Sequence, residues 1–182
     1  MTSFNKFPWL KYSLGLLVCL LLRLIPFRPA NLEPILTSQM PFAKAYGKIA
    51  GFLFACLSII IYDFITGRVG VWTGVVAAAY GLLGIWAAYY LKNKKNSPLA
   101  YAKFALMGTL AFDAVTGLAF GPLFFGQSFM EALIGQIPFT ARHLLGNLIL
   151  ALTVSPLLYR FVVDNKFLAT KTLFNLLTRK PI

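Results

Sequence analysis

The chain is written in long apolar blocks. Five are clear, at roughly residues 12–27, 48–66, 72–91, 99–118 and 139–161, each close to the ~20 residues that a helix needs to cross a bilayer. The residues between them cannot supply a polar coat. Only 12% of the 182 residues are charged, 59% are hydrophobic and the mean hydropathy is +0.75. A soluble domain of this size needs more polar surface than that. The blocks therefore predict an all-α, polytopic membrane protein, with one membrane domain over residues 1–182 and no soluble domain attached. No A-x-A-like cleavage site follows the first block, so no signal peptide is expected.

Two stretches resist a simple reading. PILTSQMPFAKAYG, residues 34–47, is partly apolar but short, and Pro41 interrupts it. It is either a short sixth span over 34–46 or a re-entrant piece. GQSFMEALIGQIPF, residues 126–139, reads as a surface helix ended by Pro138.

The net charge of +12 does not call for nucleic acid, because cytoplasmic loops of membrane proteins collect lysine and arginine. With residues 34–46 as a crossing and the N-terminus inside, only Arg23, Arg28, Arg68 and Arg142 of the 17 cationic residues fall outside. Five spans with the N-terminus outside score equally well. That arrangement misplaces Lys6 and Lys11 and rescues Arg23 and Arg28. Both place Asp63 and Asp113 at the outer ends of two parallel helices, with KNKK and the C-terminal tail inside. Small residues four apart, at Gly47/Gly51, Gly70/Gly74, Ala77/Gly81 and Gly84/Ala88, allow close helix approach. Cys19 and Cys56 lie in apolar runs and are expected to be buried thiols, with no metal-ligand spacing.

One phrase is written twice. YDFITG fills residues 62–67 and FDAVTG fills 112–117, each at the close of an apolar run. An acid at the end of a span is costly without water, a partner or a ligand. Thr66 and Thr116 follow their aspartates by three residues and share their helical face. Gly67 and Gly117 suit left-handed helix ends. The plain structural readings are polar helix termini, or ion pairs with Arg23, Arg68 or Arg142. The functional reading puts both carboxylates at one ligand cavity. A second polar cluster, Glu131, Gln136, Thr140, Arg142, His143 and Asn147, meets them at the same level. His143 and Asn147, four apart, share a face. No second histidine exists for a usual metal site, so neither metal nor cofactor is expected. Tyr62 and Trp72 read as interfacial anchors, with stacking on a flat ligand as the alternative for Trp72.

No Walker-type G-x-x-x-x-G-K-[ST], G-x-S-x-G or H-E-x-x-H occurs. Two membrane aspartates also suit an intramembrane aspartyl protease. YD at 62–63 resembles the first motif of that class, but the second, Gly-x-Gly-Asp, is replaced by Leu110, Ala111, Phe112 and Asp113. A membrane scaffold without ligand is a third possibility.

The order of features also carries a resemblance. A first span ends in Arg23, and NLEP and a short helix follow. Next come GKIAGFLFACLSIIIYD, then YGLLGIWAAYY before KNKK, and finally GNLILALTVSPLLYRF. Over nearly the whole chain this resembles the substrate-binding S components of energy-coupling factor (ECF) transporters. The resemblance implies six membrane helices, both termini cytoplasmic, and capture of a vitamin-like or nucleobase-like micronutrient at the outer face of the cell membrane. It also implies an integral T component and two ATPase subunits as partners, and no ATP hydrolysis by this chain. Asp63, Thr66, Asp113, Thr116, Gln136, Thr140, His143, Asn147 and Trp72 would line the site, covered by Asn31 and Glu33. The family's Ala-x-x-x-Ala docking pattern in the first span is absent. Gly15 and Cys19 keep its spacing and are the expected substitute.

Overall fold

The computed structural model describes residues 8–27, 29 and 31–168. The assignments of Lys6, Arg28, Lys171, Arg179, Lys180 and both termini to a membrane side fall outside the described residues. The rest is a bundle of six helices. These are α1 (Trp9–Leu24), α2 (Ile35–Tyr46), α3 (Lys48–Thr66), α4 (Val71–Leu91), α5 (Pro98–Phe125) and α6 (Phe129–Val163). Helices α3 to α6 are long and apolar enough to cross a membrane.

Helix α2 is too short for that. Its 12 residues reach ~18 Å at 1.5 Å each, against a hydrocarbon core of ~30 Å. It is instead the centre of the bundle. Nine consecutive residues, Ile35–Ala43, are buried, so every side of the helix meets protein. Helix α1 buries one stripe, Lys11, Tyr12, Gly15, Cys19 and Arg23, at the three- and four-residue spacing of a single helical face. A Cβ on Gly15 would strike the Phe42 ring of α2, and Cys19 is fully buried. This corrects the docking assignment. Gly15 and Cys19 let α1 approach α2, and face the interior rather than an outside partner.

Small residues set the α3–α4 contact. A Cβ on Gly51 would lie 2.6 Å from the Gly84 carbonyl oxygen, so the two backbones touch at that level. The corner between α2 and α3 is the single residue Gly47, at φ 88° and ψ −173°, a conformation open essentially to glycine alone.

Lysines close the end of the bundle that holds the α4–α5 loop. Lys11 Nζ donates to the Val163 carbonyl at 2.7 Å. Lys44 Nζ donates to the Leu91 carbonyl at 2.9 Å and also to that of Lys94. Each fills the open carbonyls at a helix C-terminus.

Two expected helix ends are absent. Gly67 does end α3, in left-handed geometry at φ 66°. Gly117 does not end α5, which passes through a π-helical turn, Ala114–Phe120, and runs on to Phe125. Pro138 does not end a surface helix either, because it lies inside the continuous Phe129–Leu158. A proline removes one backbone bond, and here the two flanks are held independently. Upstream, Ser128 and Glu131 form a capping box, with the Ser128 N–H on Glu131 Oε2 at 2.8 Å. Downstream, Asn147 Nδ2 donates to Thr109 Oγ1 at 2.8 Å and Ser155 Oγ to the Thr37 carbonyl at 2.7 Å.

Candidate functional site

At the end opposite the lysines the helices part around an open cavity of ≈ 620 Å³. Every helix contributes to it. Arg23 comes from α1, Asn31 and Glu33 from the loop before α2, and Ile35 from the first turn of α2. Tyr62 and Asp63 come from α3, with Trp72, Val76 and Tyr80 from α4. Phe112, Thr116, Gly117 and Phe125 come from α5, and Glu131, Gln136, Phe139 and His143 from α6. The size suits a small organic molecule.

The two aspartates of the repeated phrase have separate fates. Asp63 borders the cavity. Its Oδ2 accepts the Thr73 hydroxyl at 2.6 Å, and Thr73 Oγ1 in turn accepts the Gly70 N–H at 3.1 Å. The aspartate thus ties the end of α3 to the start of α4. Asp113 is 1% exposed and does not border the cavity. Its Oδ1 lies 2.8 Å from His143 Nδ1, and His143 Nε2 lies 3.3 Å from Tyr80 Oη. Asp113 therefore reaches the cavity wall only through His143, which corrects its expected place as a lining carboxylate. The threonines behave alike. Thr66 and Thr116 each return their hydroxyl to the carbonyl four residues back, at 2.9 and 2.8 Å. Thr116 borders the cavity and Thr66 does not.

The remaining expected residues divide similarly. Gln136 and Trp72 border the cavity, as do Asn31 and Glu33 from the loop. Thr140 does not, but it accepts from Gln136 Nε2 at 3.0 Å and so orients a lining amide. Asn147 is fully buried on Thr109, off the cavity wall. Trp72 packs against Phe124 and Phe125, with ring centroids 5.9 and 5.7 Å apart. Its indole is part of an aromatic wall as well as a surface group. Gly117 gains a role other than the expected one. A Cβ there would overlap the Gln136 amide, so the glycine makes the space that this amide occupies.

Sequence reasoning missed Tyr80 and Phe112, and offered Arg23 only as an ion-pair partner for the repeated aspartates, whereas it pairs with Glu33. Tyr80 and Phe112 sit inside apolar runs, and nothing local marks them. Their rings lie 4.2 Å apart, and Phe112 also meets the His143 ring edge-on at 5.8 Å. Arg23 looked like an exception to the positive-inside count. It is buried, with Nη1 on the Ser58 carbonyl at 2.7 Å, Nε 3.4 Å from Glu33 Oε2, and its guanidinium 3.8 Å from the Tyr62 ring centre. The overlooked signal for the start of α6 was S-x-x-E at Ser128–Glu131, a capping box.

The charge distribution is uneven. The chain carries five acidic residues. Glu33, Asp63 and Glu131 border the cavity and Asp113 joins it through His143. Of the two lining arginines, Arg23 is engaged by Glu33 and Ser58. Arg68 has no ion pair among the described residues. Comparison of the chain with protein-family models, with curated proteins and with solved structures finds no match.

Proposed function

We propose that this chain is the substrate-capture subunit of an ECF-type importer, holding a vitamin-like or nucleobase-like micronutrient in the cavity. The observation that carries the reading is the cavity itself. It opens at one end of a membrane-type helix bundle, takes lining from all six helices, and draws four of five acids to one place in a strongly basic chain. In this reading the cavity end faces outward and the lysine-rich end faces the cytoplasm, with six helices in the plasma membrane, the short α2 running within the bundle from the cavity at Ile35 toward the lysine end at Lys44, and both termini on the cytoplasmic side. Energy comes from two ATPase subunits through an integral T component. Because Gly15 and Cys19 point inward, that component docks on another surface.

The geometry does not favour the protease. A proton-sharing aspartyl pair needs carboxyls in contact. Here Asp63 is bonded to Thr73 and Asp113 to His143. Native mass spectrometry after gentle purification tests the capture reading directly. A bound small molecule, and uptake that requires added membrane and ATPase partners, are the expected results. A ligand-free chain, or uptake by this chain alone, refutes it.

A further inference from the structure

We infer that the Asp113–His143–Tyr80 chain turns the Tyr80 hydroxyl into a hydrogen-bond acceptor at the cavity wall, so that the site selects a ligand presenting an N–H donor there. The ligand half of this inference rests on the capture reading. The direction of the hydrogen bonds does not.

The direction follows from what each group can do. An ionised carboxylate only accepts. At 2.8 Å from Asp113 Oδ1, His143 Nδ1 carries the proton. We take the imidazole as neutral, and its Nε2 then has only a lone pair. That lone pair, 3.3 Å from Tyr80 Oη, takes the one hydrogen the phenol has. Oη is left with lone pairs alone and can receive only a donor. The rings cannot turn easily to escape this. Phe112 and Phe139 meet the imidazole edge-on at 5.8 and 5.7 Å, and Phe112 lies against Tyr80. His143 and Tyr80 are each 2% exposed and both border the cavity.

The other charged groups on the wall are of both signs. Asp63 and Glu131 are acceptors already held by Thr73 and Ser128, and Arg23 is held by Glu33 and Ser58. Arg68 is exposed on the same wall with no ion pair among the described residues, so the selection is made at the Tyr80 hydroxyl and not by the wall as a whole. A ligand with an amino group or protonated nitrogen is matched at that hydroxyl. One that offers a carbonyl or phosphate at the same point meets lone pair against lone pair.

His143 is the only histidine in the chain, so nitrogen-15 histidine labelling of the full chain in lipid nanodiscs reports one ring. Near neutral pH the expected spectrum shows a protonated Nδ1 and an unprotonated Nε2, and Asp113→Ala, which removes the acceptor, loses that single-tautomer signature. A protonated Nε2 in the unmodified chain overturns the inference. Adenine and purine test the ligand class, because they share a ring system and differ only in the exocyclic amine. Equilibrium dialysis should show about tenfold tighter retention of adenine, the worth of one hydrogen bond. Tyr80→Phe keeps the ring and should abolish the preference. Equal retention of the two bases, none at all included, overturns the donor selection. A spectrum as expected in a chain that takes up nothing with any partner sinks the capture reading alone. Partner-dependent uptake with a protonated Nε2 sinks this inference alone.

Discussion

Gly51→Ala tests the packing that shapes the cavity. The added methyl would lie 2.6 Å from the Gly84 carbonyl oxygen, 3.0 Å from its carbon and 2.7 Å from Ala43 Cβ. Comfortable carbon contacts are ~3.5–4.0 Å, so the shortfall is roughly 1 Å. Two of the three neighbours are backbone atoms and cannot rotate away, so α3 and α4 must separate. Overpacking of this kind costs ~1–3 kcal/mol, and the firm neighbours put this case at the upper end. Alanine's better helix propensity returns up to ~1 kcal/mol, leaving a net loss of about 2 kcal/mol. On the scale of soluble proteins of this length that is roughly 4–8 °C in melting temperature. Gly74→Ala is the control, on a helix with nothing within 4 Å of the new methyl. Thermal unfolding of both variants in the same detergent should lower the first and leave the second level or raised. A Gly51→Ala chain that melts with the Gly74→Ala chain refutes the backbone contact. It would also loosen the argument for the cavity, since α3 brings Asp63 and α4 brings Tyr80.

Gly47→Ala should destabilise by ~1–3 kcal/mol through backbone strain alone, because the space around it is empty; an unchanged melting temperature would contradict the corner geometry. Asp63→Asn should weaken ligand capture roughly tenfold to a hundredfold, the value of a hydrogen bond to a charged group. Its fold should persist, since an amide oxygen can still accept from Thr73, and unaltered affinity in dialysis would remove Asp63 from the site. Gly117→Ala should displace the Gln136 amide and change affinity more than stability, which parallel binding and melting curves would separate. Cysteine labelling from either side of intact cells should place the N-terminus and KNKK in the cytoplasm, and an N-terminus labelled from outside would defeat the six-span arrangement.

The sequence made the apolar blocks, and hence the long helices, easy to read, because burial in lipid imposes length and composition on each segment by itself. Its errors fall where two distant segments meet. Pro41 and the brevity of residues 34–46 hinted at something unusual in α2, yet full burial on every side depends on its surroundings. The same limit governs the repeated phrase. Its threonines act alike because their partner is four residues away in both copies. Its glycines diverge, since Gly67 meets the α3–α4 turn while Gly117 lies against Gln136. Its aspartates diverge for the same reason. Thr73 stands opposite one and His143, thirty positions along the chain, opposite the other. The shared element of the repeat is thus the threonine bond to its own helix, at a helix end in one copy and inside a π-helical turn in the other, and the bundle gives the copies different work. What survives from the sequence is the placement of charge. Four of the five acids gather at one end, while Lys11 and Lys44 cap helices at the other. That polarity gives a basic chain one acid-lined mouth, and on the proposed reading the direction of a single hydroxyl beside the Asp113–His143 pair selects what binds there.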